Sequence, residues 1–216
     1  MKIPNKYNRL GISNGNGLDF YAPFDSNLND VVNGITGSSN GYQYFSIQED
    51  TTSNIGKYLR GQITTNYQPY TIFYANTENM FKYGTGDFSI SYWIQAPKWS
   101  DYTNNCVLSK KANDSDTGFV NFRNGSQTQM DMRVAGTNNL NTSTSVTNSR
   151  WISWIFIRKN GVGYWYRNGI LDNSGACTGS ANSNDILRIG YHAQWQTKAY
   201  YNLKALRIFN RALTSK

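Results

Sequence analysis

The chain has 216 residues, of which 38% are hydrophobic, 15% aromatic and only 16% charged, against about 25% charged residues in an ordinary globular domain. That length suits one all-β core without metal or disulfide staples, and polarity carried by Asn, Ser, Thr, Gln and Tyr argues for strands rather than helices. The net charge is +8, yet no basic run exceeds two residues, which argues against a focused nucleic-acid site.

Residues 1–10 read as an N-terminal arm, and 11–216 as a single domain. The arm has too little apolar surface to fold alone, and Pro4 favours an extended chain around it. Ile3, Tyr7 and Leu10 are its candidate docking residues, with Lys2, Lys6 and Arg9 beside them. No apolar stretch follows these basic residues, so no secretory signal or membrane span is expected.

Further along, Glu49-Asp50 and Asp114-x-Asp116 are neighbouring acids placed in loops. Phe88-Ser-Ile-Ser-Tyr-Trp-Ile94 alternates as a strand. Trp99 and Tyr102 follow it and are candidate ligand contacts. Cys106–Ser109, Phe119–Phe122 and Met130–Val134 are further strands, and residues 136–149 a polar loop. Lys110-Lys111 and Arg158-Lys159, the densest basic pairs, are expected on the solvated surface.

Trp151–Arg158, Val162–Arg167 and Ile170-Leu171 are separated by Lys-Asn-Gly and Asn-Gly. Asn-Gly supplies the positive φ of a tight hairpin, so three successive antiparallel strands are expected. Residues 172–185 are a second polar loop, and Ile186–Ile189 a strand. Trp93, Trp151, Trp154 and Trp165 lie in strands and are assigned to the core. Tyr191, His192, Trp195 and Tyr200 lie between two predicted strands, where a loop tryptophan is not needed by the core pattern. They complete the candidate glycan or partner contacts. Leu203–Phe209 fits a strand better than a helix because of its β-branched and aromatic content.

Several segments resemble the laminin-G-like, concanavalin A-like jelly rolls. They are Gly17-Leu18 with Tyr21, Phe24-Asp25 and Leu28-Asn29-Asp30; Gly86-Asp87-Phe88 through Ile94; and Leu108-Ser109-Lys110. The hairpin Trp151–Arg158 with Tyr166-Arg167-Asn168-Gly169, then Arg188-Ile189-Gly190, then Leu206 through Thr214, follow in the family's order. The resemblance implies an all-β sandwich of two antiparallel sheets with ligands at a rim or on a face. It covers glycan-binding modules, adhesion domains and virion surface proteins. Relatives carry an aspartate before the last strand that helps bind calcium; Lys204 stands there, which puts that metal site in doubt although Asp25 and Asp30 remain.

Catalytic signatures are missing. Phosphate-loop, dinucleotide and metal-protease motifs do not occur. His192 is the sole histidine, and Glu49 and Glu78 are the sole glutamates, outside any pattern that places two carboxylates on one strand face, as glycoside hydrolysis requires. Cys106 and Cys177 could pair or remain free thiols. The expectation is a non-enzymatic binding or structural module with no cofactor and neither nucleic acid nor membrane insertion. Its partners would be a glycan or cell-surface polysaccharide, other virion or surface proteins, or a second copy in a homo-oligomer. Its place would be a virion, or alternatively a bacterial cell surface.

Overall fold

Alternating apolar and polar residues, punctuated by Asn and Gly, build strands throughout. The structure is a computed structural model that describes residues 17–39, 45–51, 53, 55–61, 71–95, 105–123, 129–136, 138–145, 150–194 and 201–214. These hold fifteen strands and no helix: β1 (Leu18–Ala22), β2 (Gly37–Ser39), β3 (Phe45–Asp50), β4 (Gly56–Gly61), β5 (Ile72–Tyr74), β6 (Phe88–Gln95), β7 (Asn105–Ser109), β8 (Phe119–Arg123), β9 (Met130–Val134), β10 (Asn138–Asn141), β11 (Ile152–Lys159), β12 (Val162–Arg167), β13 (Ile170–Ala176), β14 (Leu187–Ile189) and β15 (Asn202–Phe209).

The strands form two antiparallel sheets. The larger runs β13-β12-β11-β6-β15-β4-β3, with β1 also paired to β15; the smaller runs β10-β9-β8-β7-β14-β5-β2. Between them lie Phe20, Ile90, Trp154, Phe156, Trp165, Met132 and Ile189, all fully buried. Trp154 and Trp165 meet edge to face at 5.8 Å. The jelly-roll sandwich expected from the sequence is what forms.

The hairpin reading holds in detail. Asn160-Gly161 and Asn168-Gly169 all have positive φ, from 51° to 83°, and they join β11 to β12 and β12 to β13. Two loop expectations are corrected. Strand β13 continues to Ala176, into the predicted 172–185 loop, because pairing with β12 continues as far as Val162. Likewise β10 occupies part of the predicted 136–149 loop, paired with β9 from Asn138 to Asn141. The sandwich is fastened along this side: Trp165 Nε1 donates to the Leu140 carbonyl at 2.9 Å and Asn173 Nδ2 to that of Asn141 at 2.7 Å.

The basic pairs are also corrected. Lys110, Lys111 and Arg158 are fully buried, and only Lys159 is exposed. Arg158 donates to the carbonyls of Gly86, Gly179 and Gly84 at 2.6–2.7 Å and lies 4.7 Å over the Phe88 ring. Lys110 reaches the carbonyls of Glu78, Ser183 and Asp185; Lys111 reaches those of Asp114 and Ala135 at 2.9 and 3.4 Å. Irregular loops leave carbonyls without strand partners, and these must be satisfied when buried. The three cations supply the donors, so part of the basic excess is internal scaffolding.

Candidate functional site

Strand alternation sorts the larger sheet into two faces. In β6, Phe88, Ile90, Tyr92 and Ile94 are buried in the core, whereas Ser91, Trp93 and Gln95 keep partial exposure on the other parity. In β11, Ile152, Trp154 and Phe156 point inward, and Ser153 and Ile155 outward. Trp93 lies opposite Ser153 on one side and Lys204 on the other. Ile155 lies between Ser91 and Tyr166, and Ile157 between Ser89 and Tyr164. Tyr166 in turn pairs with Leu171, which is 51% exposed. Directly opposed side chains are about 5 Å apart and strands about 4.8 Å. Trp93, Tyr164 and Tyr166 therefore share the outer face, Trp93 on β6 and the two tyrosines on β12, with Ser153, Ile155 and Ile157 of β11 between them. Nearby, the Arg207 guanidinium stacks 4.4 Å above the Tyr21 ring.

This corrects the assignment of all four strand tryptophans to the core. Trp154 and Trp165 are fully buried, but Trp93 and Trp151 are half-buried. Trp151 packs edge to face on Tyr58 at 5.2 Å, and its Nε1 donates to Asp50 Oδ2 at 2.6 Å. Asp50 and Glu49 end strand β3 rather than lying in a loop. The signal for Trp93 was in the sequence, since it has the opposite parity to Phe88, Ile90 and Ile94.

Of the sequence-predicted contacts, Tyr191 and His192 fall within the described residues, and Trp195, Tyr200, Trp99, Tyr102 and the arm residues Ile3, Tyr7 and Leu10 lie outside them. Tyr191 is half-buried and His192 fully buried. Burial pushes the His192 imidazole down to about 4, opposed by the charge of Asp114 and reinforced by Lys111, Arg188 and Arg133. His192 is therefore neutral at pH 7. Around it, Arg133 pairs with Asp114 at 2.8 Å and Asp131 at 3.3 Å, and Gln194 accepts the Asp114 backbone N–H at 2.6 Å. Burial also pushes the Asp131 carboxyl up to about 6. This rim is a set of charges engaged with one another.

The calcium position can be tested directly. Lys204 Nζ sits 2.9 Å from Asp25 Oδ1 and 2.5 Å from the Lys57 carbonyl, so the lysine cation already engages that carboxylate. Asp30 accepts from the backbone of Tyr21, Val32 and Asn33 and from Asn33 Nδ2 at 2.8–3.0 Å. It clamps a turn. These residues do not fit a calcium ion, which takes six to eight oxygens. Among the described residues no group of three or more His, Cys, Asp or Glu side chains could hold a metal.

The two glutamates do not share a face: Glu49 lies in β3 of the larger sheet, and Glu78 in the turn after β5 of the smaller. Cys106 and Cys177 are buried thiols not joined in a disulfide, and burial raises the Cys177 thiol to about 11. Among the described residues no helix is long and apolar enough to cross a membrane.

Solved structures share this architecture. The binding domain of Paraclostridial Mosquitocidal Protein 1 superposes with a TM-score of 0.71 at 17% identity, over 92% of this chain and 50% of that one. The receptor-binding domain of botulinum neurotoxin D gives 0.66 at 12% identity, over 94% and 51%. A botulinum neurotoxin type C structure, from a toxin whose cellular uptake depends on two ganglioside molecules, gives 0.64 at 15% identity, over 92% and 49%. The chain thus spans about half the length of each, and at these identities the likeness is one of fold. No curated protein matches the sequence. The family profile Laminin_G_3, described as the Concanavalin A-like lectin/glucanases superfamily, matches residues 64–216. On that match, the chain belongs to the laminin-G-type family of the concanavalin A-like lectin/glucanases superfamily.

Proposed function

We propose that this domain is a non-enzymatic binding module that holds a glycan against the outer face of its larger sheet. The observation carrying the reading is Trp93, a tryptophan left partly exposed on the outer face at the centre of a sheet. Sugar rings stack their C–H faces on flat aromatic surfaces, and hydroxyls beside the ring meet the sugar oxygens. Trp93, Tyr164 and Tyr166 supply the first, and Ser91 and Ser153 the second. The toxin binding domains that share the fold are in keeping with this class of function, and the type C toxin uses gangliosides.

A glycan array followed by titration of the retained sugar tests the proposal. Trp93→Ala should abolish retention while the chain stays folded. A chain that retains no glycan, or a Trp93→Ala variant that binds as the parent does, overturns it. Turnover of polysaccharide that depends on Glu49 or Glu78, measured as new reducing ends, would overturn the non-enzymatic part.

The finer identity we propose is a protein of a virion surface, with residues 1–10 as its attachment arm and Trp195, Tyr200, Trp99 and Tyr102 as further contacts. It rests on the Asn-, Ser-, Thr- and Tyr-rich composition. Neighbouring genes for capsid or tail proteins would support it; genes for cell-wall attachment would favour a bacterial surface module.

A further inference from the structure

Strand β13 is the outermost strand of the larger sheet and is paired on one side only, to β12. Among the described residues, three large apolar side chains stand exposed. Two are consecutive on this strand: Ile170 at 75% and Leu171 at 51%. Natural sheets block such edges with lysine, proline, short strands or covering segments. β13 carries neither lysine nor proline and has seven residues, with one register irregularity at Asp172. The other edges differ. β3 ends in Glu49 and Asp50, β2 has three residues, and β10 has four; Asn173 of β13 reaches β10 from the inner face, opposite Trp165, rather than from the free edge.

We propose that β13 pairs antiparallel with β13 of a second copy of this chain, joining the two larger sheets across a twofold axis near Asn173. The strand is self-complementary. Its first half is large and apolar, Ile170-Leu171, and its second half is small, Ser174-Gly175-Ala176. Antiparallel pairing sets the large half of one copy beside the small half of the other, as an isologous contact requires.

Charge places no like pair across this contact. Each copy carries +8, yet β13 has no basic residue, and its single acid, Asp172, is turned aside to Ser143 and Thr144. Seven residues at about 3.4 Å each span about 24 Å. A contact of that length lies at the small end of specific interfaces, so the dimer is concentration-dependent. Its consequence is that Tyr164 and Tyr166 of both copies share one outer face. The pairing stands independently of the glycan reading.

Sedimentation velocity of the full chain over a concentration series tests it. The wild-type chain should pass reversibly from monomer to dimer. Leu171→Lys should raise the dissociation constant at least about tenfold without moving the melting temperature. Val31→Lys, at a site also 51% exposed but outside this edge, should leave it unchanged. In hydrogen exchange, the β13 amides of the wild-type chain should gain protection as concentration rises. A chain that remains monomeric throughout, even one that captures a foreign strand, overturns the proposal. So does a dimer that Leu171→Lys does not weaken.

Discussion

The two faces of the larger sheet are built from the same strands and differ by one residue of register. Inward from β6, β11 and β12 come Phe88, Ile90, Trp154, Phe156 and Trp165; outward come Ser91, Trp93, Ser153, Ile155, Tyr164 and Tyr166. Aromatic residues lie on both sides. The inner rings are packed in the core, with Phe88 5.4 Å from Phe119 of the smaller sheet. The outer ones have strand neighbours beside them and partial exposure above. Composition alone treats Trp93 and Trp154 as equals. Parity separates a core residue from a ligand candidate, because successive strand side chains point to opposite faces.

The sharpest way to break this comparison is truncation on each face. Phe88→Ala or Trp165→Ala should cost about 3–5 kcal/mol, the loss expected for a buried aromatic ring. Trp93→Ala should cost less, about 1–2 kcal/mol, since its ring is only partly buried. Denaturant unfolding of the three variants measures this. Equal losses at Phe88 and Trp93 would mean that both faces are closed.

A slightly smaller effect tests the end of the inner face. Arg158 has the same parity as Trp154 and Phe156 but lies where the loop carbonyls gather. Arg158→Met should lose about 3 kcal/mol by leaving those carbonyls buried and unpaired. If Met is tolerated as well as Arg, the guanidinium is dispensable and the loops satisfy themselves.

The smaller sheet adds a contrast that pH can read. Its outward Cys106, Val120, Phe122 and Asp131 are buried, unlike the outward residues of the larger sheet. His192 titrates near 4 folded and near 6.5 unfolded, so the unfolded chain binds the extra proton between these values. Its contribution to stability is constant above pH 6.5 and is lost as pH falls from 6.5 toward 4. Asp131 has the opposite sign: titrating near 6 folded and 3.8 unfolded, it weakens the fold as pH rises from 3.8 to 6. The stability of wild type relative to His192→Gln should therefore fall on acidification through pH 6.5 to 4. Relative to Asp131→Asn it should fall on raising pH through 3.8 to 6. Flat differences would mean that neither group is buried as described.

The smallest expected effect is at the Lys204–Asp25 pair, whose side chains are 12% and 38% exposed. Lys204→Met should cost about 0.5–1 kcal/mol. Chelation should leave the melting temperature unchanged. A drop on chelation that added calcium restores would show that other oxygens recruit the ion.

By itself the sequence determined a great deal. Period-two patterning and Asn-Gly turns located β6, β9, β11, β12 and β15 within a residue or so, because strand parity and positive φ are local properties. The resemblance in motif order supplied the sandwich. What the sequence left undecided depends on partners distant along the chain. Lys110, Lys111 and Arg158 read as solvated charges until the loops that aim carbonyls at them are in place. Lys204 reads as the loss of a calcium ligand until Asp25, 179 residues away, is seen against it. The extension of β13 to Ala176 is set by the length of β12, and the exposure of its outer edge by the order of strands. Burial and charge pairing are properties of neighbours in space, and only the tertiary structure decides which residues those neighbours are.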